Sequence, residues 1–177
     1  MTQHDVTTGR GVDPEWLDGF IRRWEDAWDS HEPDRVLALM TDDIVYEDSA
    51  RPTPMRGHGD VREFLEYVWR GMPDVRFEFT DGPFLHPSEP KAAFYWRGTG
   101  TQTGRVDPPG LDPTGKSVDF VGADFHEYRD GKVAHLRILF DMADVMRQLG
   151  ALPAEGGREE KMLMRVTNLR GRLPKRG

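Results

Sequence analysis

Two acids in apolar surroundings are the residues of this chain whose types and neighbours point to chemistry. Asp124 lies inside the run 118–141, VDFVGADFHEYRDGKVAHLRILFD, and Asp48 closes the run 44–48, Ile-Val-Tyr-Glu-Asp. A carboxyl group in such a setting has two fates. On an outer, solvated face it is a fixed negative charge. Inside an apolar pocket its charged form loses solvation, so its pKa rises from about 3.9 and it donates a hydrogen bond at neutral pH. A protonated acid aimed at a carbonyl oxygen stabilises developing enolate charge. His126, two residues from Asp124, is placed either to modulate that acid or to satisfy it structurally. The indole N–H of Trp24 is a donor with no acid proton to share. No His/Asp/Glu spacing marks a metal site, and without cysteine there is no thiol nucleophile, zinc-thiolate site or disulfide. The Gly-rich stretch 104–115 leads into a strand pattern rather than a helix, so it is no phosphate cradle and no cofactor is expected.

The elements that must position these acids follow from periodicity. The run 118–141 reads as two long strands joined at Arg129-Asp130-Gly131-Lys132, where Gly tolerates the positive φ of a hairpin turn. Alternation puts Phe120, Gly122, Asp124 and His126 on one face of the first arm. In the second arm Leu136, Ile138 and Phe140 share a face, with His135, Arg137 and Leu139 opposite. Ile44, Tyr46 and Asp48 share one side of the short strand 44–48. Further strands are predicted over 75–79 and 92–102, with Phe94, Trp96, Gly98 and Gly100 turned inward and the glycines leaving room for a ligand.

Helix signals flank the strands. Asp13-Pro14 pairs an N-cap with a first-turn proline, and Trp16, Leu17, Phe20, Ile21, Trp24, Ala27 and Trp28 follow at helical spacing. A second helix is predicted from Pro33 through Met40 and a third from about 59 to Arg70, ended by Gly71 and Pro73. Asp141, with Asp144 three residues on, reads as the N-cap of a last short helix to Leu149, stopped by Gly150. Helices first, then antiparallel strands, then a closing helix is an α+β layout: three N-terminal helices on one face of a curved antiparallel or mixed sheet. The many Trp, Phe and Met residues suit a cone around an apolar pocket.

At 177 residues the chain is read as a leader over 1–12, expected to be disordered, one domain over 13–152 and a basic extension over 153–177. The extension is either a frayed tail or a docked helix with Met162, Leu163, Val166 and Leu169 on one side. Residues 158–177 carry a net charge of +5, which leaves −12 on the remainder of a chain whose total is −7. An acidic body argues against nucleic acid as the main partner, and the basic tail is matched to an acidic surface, its own included. No run approaches the roughly 20 apolar residues of a membrane span, and the N-terminus lacks the apolar core of a signal peptide. A cytoplasmic protein is the expectation.

Residues 14–152 resemble the nuclear transport factor 2-like superfamily, which contains ketosteroid isomerases, limonene epoxide hydrolases and SnoaL-like polyketide cyclases. The resemblance is carried by FIRRWEDAW, DRVLALMTDDIVYED, RGHGDVREFL, PDVRFEF, GTGTQTG, DPTGK, DGKV and FDMADVMRQLG, of which DPTGK and MRQLG are most similar to SnoaL-type cyclases. It implies the cone fold, a hydrophobic small-molecule substrate and a homodimer. SnoaL-like cyclases and the epoxide hydrolases keep an acid/base Asp on the last strand just after an Arg; Arg137 matches the Arg, and Ile138 stands where the acid would be. The cyclases' Thr-His-Thr-Gly segment reads Thr101-Gln102-Thr103-Gly104, and the epoxide hydrolases' further Asp falls near Gly98.

The likeness to ketosteroid isomerases runs differently. Their general base lies in a Val-Glu-Asp segment matched by Tyr46-Glu47-Asp48, and their protonated oxyanion-hole Asp matches Asp124. Their last-strand Met-Arg-Ala-Leu-Phe is close to Leu136-Arg137-Ile138-Leu139-Phe140, and their helix-one Tyr falls on Trp24. The resemblance therefore implies Asp48 and Asp124 as catalytic residues. Tyr46, Trp24, Trp28, Trp69, Trp96, Phe120, His126, Ile138 and Phe140 are the expected substrate-binding set. The implied activity is cofactor-independent acid–base isomerisation or intramolecular cyclisation of a hydrophobic ketone. The alternatives are a non-catalytic binder of a hydrophobic small molecule, which Ile138 favours, and an epoxide hydrolase-like enzyme.

Overall fold

The structure is a computed structural model and describes residues 11–106 and 110–171. Of the expected leader, residues 1–10 lie outside the described residues, while Val12 is buried in the core. Helix α1 (Pro14–Asp29) starts where the Asp13 carboxylate accepts the Glu15 N–H at 3.0 Å. Its apolar stripe buries Leu17, Phe20, Trp24, Ala27 and Trp28. Helix α2 (Pro33–Leu37) stops short of the predicted Met40, because Met40 instead opens strand β1 (Met40–Asp48) and pairs with Val133. Either element buries Met40, so its hydrophobicity did not distinguish them; the β-branched Thr41, Ile44 and Val45 that follow favour the strand.

Past β1 comes a two-residue strand β2 (Met55–Arg56), followed directly by helix α3 (Gly57–Gly71). Strand β3 (Arg76–Leu85) runs past the predicted end at Phe79, its register shifting on either side of Asp81 as it passes Gly82-Pro83. Strands β4 (Lys91–Thr101), β5 (Ser117–Arg129) and β6 (Lys132–Phe140) complete the sheet. Asp130 and Gly131 take φ of 52° and 75°, which makes the β5–β6 connection the tight hairpin its sequence predicts. Helix α4 (Met142–Gln148) begins at Asp141, whose side chain accepts the Asp144 N–H at 3.1 Å.

The six strands form one open, curved sheet in the order β2-β1-β6-β5-β4-β3, antiparallel except where β1 runs parallel to β6. Helices α1 and α3 cover its inner face. There the core joins Phe20, Trp24 and Leu65 to Phe94, Trp96, Leu136 and Ile138. The outer face leaves Tyr95, Val121, Phe125 and Leu139 exposed beside ion pairs such as Arg97–Asp119 and Arg137–Glu47.

Residues 158–171 form a further helix, α5 (Arg158–Gly171). It matches neither alternative expected of the extension, since it is helical yet undocked: Met162 is 68% and Leu169 64% exposed. Residues 172–177 lie outside the described residues. Among the described residues no helix is long and apolar enough to cross a membrane.

Candidate active site

The inner face of the sheet and the helices over it enclose a cavity of about 860 Å³. Its wall draws on β1 (Tyr46, Asp48), β4 (Trp96), β5 (Phe120, Asp124) and β6 (Ile138, Phe140), with Trp24 and Trp28 of α1 opposite. Both acids singled out by sequence therefore face the same hollow, and both are buried, Asp48 at 8% and Asp124 at 5% exposure. They belong to one cross-strand row. Asp48 pairs with Ile138 across β1 and β6, and Ile138 pairs with Asp124 across β6 and β5.

Burial acts visibly on Asp48. Loss of hydration pushes its pKa up from 3.8 to about 6, and the negative charge of Asp124 adds to the rise; the Ala50 N–H and the Arg51 guanidinium oppose it. One carboxylate oxygen accepts the Ala50 N–H at 2.8 Å, and the other accepts no hydrogen bond from the described residues. The result is an acid that is mostly ionised at neutral pH, tuned close to it, and with an oxygen open to the cavity. Two residues earlier on the same face, Tyr46 packs edge-on to Phe64. Burial, then the charges of Asp48 and Asp124, push its pKa well above 10, so it stays a phenol and a donor.

Asp124 is held by its neighbours. The Trp96 indole N–H donates to Oδ1 at 2.6 Å, and His126 Nε2 lies 3.4 Å from Oδ2. His126 in turn meets the Tyr128 hydroxyl through Nδ1 at 3.0 Å. The reach of Trp96 depends on Gly122, its direct partner on β5: a Cβ there would lie 2.3 Å from the Trp96 ring. The other inward glycines do not leave room for a ligand as the sequence predicted. A Cβ at Gly98 would meet the Phe120 ring at 2.9 Å and one at Gly100 would meet Val75 at 3.1 Å, so protein side chains already fill that space.

Not every expected binding residue reaches the cavity. Trp69 stands behind the wall, edge-on to Trp28 and stacked on His31. His126 is 1% exposed and forms a layer behind Asp124, between the rings of Trp24 and Phe94. Gln102, by contrast, does line the cavity, but its amide is engaged in the wall: it accepts the Thr114 N–H at 2.7 Å and donates to the Gly104 carbonyl at 2.7 Å, closing the loop between β4 and β5. Sequence reasoning missed the contribution of α4 and its C-cap, where Met142, Val145, Met146 and Leu149 line the cavity. Their i, i+3, i+4, i+7 spacing was the available signal.

Residues 19–149 match the model of the family described as SnoaL-like polyketide cyclase. Among solved structures, AclR from Streptomyces galilaeus, a candidate hydroxylase, is 20% identical with a TM-score of 0.67, over 80% of this chain and 100% of that one. A candidate SnoaL-like polyketide cyclase from Jannaschia sp. CCS1 is 19% identical with a TM-score of 0.68, over 85% of this chain and 99% of that one. A hypothetical protein of ketosteroid isomerase-like fold from Catenulispora acidiphila DSM 44928, in complex with trimethylamine, is 17% identical with a TM-score of 0.62, over 82% of this chain and 99% of that one. No curated protein matches the sequence. At these identities the structural neighbours establish the fold, which is the nuclear transport factor 2-like cone.

Proposed function

The chain belongs to the SnoaL-like polyketide cyclase family, and we propose that it is a cofactor-independent acid–base enzyme acting on a hydrophobic, polycyclic or isoprenoid-like ketone. The observation that carries this reading is the placement of Asp48 and Asp124 on either side of Ile138, both facing one apolar cavity. Asp48, its pKa near 6 and one oxygen open to the cavity, takes a proton from the carbon beside the carbonyl. The Tyr46 phenol or the Trp24 indole N–H holds the oxygen on which enolate charge develops, and Asp124 flanks the same hollow from β5. Return of the proton at another carbon isomerises a double bond, and attack of the enolate carbon on a second carbonyl of the same molecule closes a ring.

The direct test is hydrogen exchange. Polycyclic and isoprenoid ketones are incubated with the protein in D₂O, and deuterium uptake beside the carbonyl is followed by NMR. Uptake that Asp48→Asn abolishes supports the reading; uptake unchanged in that variant removes Asp48 from the mechanism.

A second reading, a binding protein without turnover, draws on Asp124: one oxygen already takes the Trp96 N–H, and the other lies against His126. In that case ligand quenches tryptophan fluorescence and no ketone exchanges. We also propose a homodimer joined through the exposed apolar residues of the outer sheet face, Tyr95, Val121, Phe125 and Leu139.

A further inference from the structure

We propose that helix α5 is the cover of this chain's own cavity, seating its apolar stripe on the mouth with its basic residues toward the glutamates of α3. The helix is formed but, among the described residues, its apolar stripe stays uncovered: Met162, Leu163, Val166 and Leu169 are 68%, 47%, 38% and 64% exposed. A short helix draws most of its stability from burying such a face. At 3.6 residues per turn Met162, Val166 and Leu169 form one stripe, and Arg158, Lys161 and Arg165 border it along one side.

The surface that complements this pattern is the cavity mouth. Glu63 and Glu66 of α3 are exposed on its rim, with the half-buried Tyr67, Val68 and Met72 next to them. Two cations share the mouth, Arg51 and Arg70, and the first lies over the Phe64 ring at 5.5 Å. Chain-wide charge favours the same pairing, since residues 158–177 carry +5 against −12 on the rest.

The tether starts at the right place. Helix α4 forms part of the cavity wall, and residues 150–157 join it to α5. Fully extended, those residues reach roughly 27 Å. Gly150 and Gly156 take φ of 76° and 70°, which lets the segment turn sharply at both ends. A cover held on such a leash meets its own mouth at high effective concentration, whereas a second copy must find it by diffusion.

The chain has no cysteine, so introduced pairs report contact without background. In the full-length protein a cysteine at Pro52 or Arg70, both on the mouth, is paired with one at Met162, Val166 or Leu169. Asp130→Cys at the exposed tip of the β5–β6 hairpin, away from the mouth and the outer-face patch, serves as the reference position. We expect intrachain disulfides between mouth and α5, formed about tenfold faster than with the reference. They should be lost when Arg158, Lys161 and Arg165 are all replaced by Glu. With Nile red as the probe, the oxidised form should release the dye about tenfold more slowly than the same protein after reduction. Disulfides that form only between chains would assign α5 to a second copy and overturn the proposal. Equal reaction with Asp130→Cys, capture of α5 by phosphatidylserine vesicles, or dye release indifferent to oxidation would each do the same. None of these readouts involves turnover, so the cover stands or falls apart from the acid–base reading.

Discussion

Asp48 and Asp124 are separated by one residue, Ile138, in a single row across β1, β6 and β5. Two strand spacings of about 4.8 Å place their backbones about 10 Å apart, so a flat ligand lying on Ile138 meets an acid at each end. The pair still interact, because the charge of Asp124 contributes to the raised pKa of Asp48. Ile138 is thus an apolar floor with carboxylates on both flanks.

Asp48→Asn keeps the shape of the side chain and removes its basicity. Deuterium uptake by a responsive ketone should fall about 10²–10⁴-fold, while Nile red binding is retained. In the unmodified protein uptake should rise with pH through about 6 and then level off, because the ionised form of Asp48 is the active one. A flat profile between pH 5 and 7 would contradict the assignment.

The same substitution should stabilise the fold. Asp48 has its folded-state pKa raised from 3.8 to about 6, so between those values the folded protein binds more protons than the unfolded chain. Stability contributed by this group therefore falls as pH rises from about 4 to about 6, and the full penalty persists above that. A shift of that size corresponds to at most about 3 kcal/mol. Urea unfolding at pH 7.5 should find Asp48→Asn more stable than the parent, with the gap closing toward pH 4.

Trp96→Phe removes the N–H that holds Asp124 Oδ1 and leaves a buried acid short of a donor. The expected destabilisation is about 1–3 kcal/mol, read as a lower urea midpoint. Gly122→Ala should resemble it, since its methyl would lie 2.3 Å from the Trp96 ring. A neutral Gly122→Ala would mean that Trp96 has another way to reach Asp124.

Ile138→Asp places a third carboxylate between the two already present. Like charges so close oppose ionisation, so the pH midpoint of ketone exchange should move upward from about 6. A midpoint that stays put would show that the row is better hydrated than its burial indicates.

Phe125→Glu together with Leu139→Glu puts charges into the exposed apolar patch of the outer sheet face. If that face joins two copies, light scattering after size exclusion should give a monomer mass for the variant and a dimer mass for the parent. A dimer in both would place the interface elsewhere.

Much of this was legible in the chain. Asp13-Pro14 and the stripe from Trp16 to Trp28 mark α1, Asp130-Gly131 marks the hairpin, and the alternation Phe120, Gly122, Asp124 aims that acid inward, because each signal is local and repeats with the period of its element. Met40 was misplaced into a helix, since a buried apolar residue suits either element until its partner strand is known, and β3 was cut short because the exposed Asp81-Gly82-Pro83 reads as a turn until its pairing with β4 is known.

What the sequence determined by itself was the kind of protein: a helix-covered α+β cone with two acids in apolar strands, because hydrophobic periodicity and capping depend on neighbours along the chain. Which side chains meet was decided by tertiary structure alone. Strand register set Ile138 between Asp48 and Asp124, and the missing side chain of Gly122 let Trp96 reach Asp124. Burial in the assembled fold then raised the pKa of Asp48 to about 6. Contacts and hydration of that kind exist only once segments far apart in the chain are brought together, so no local pattern encodes them.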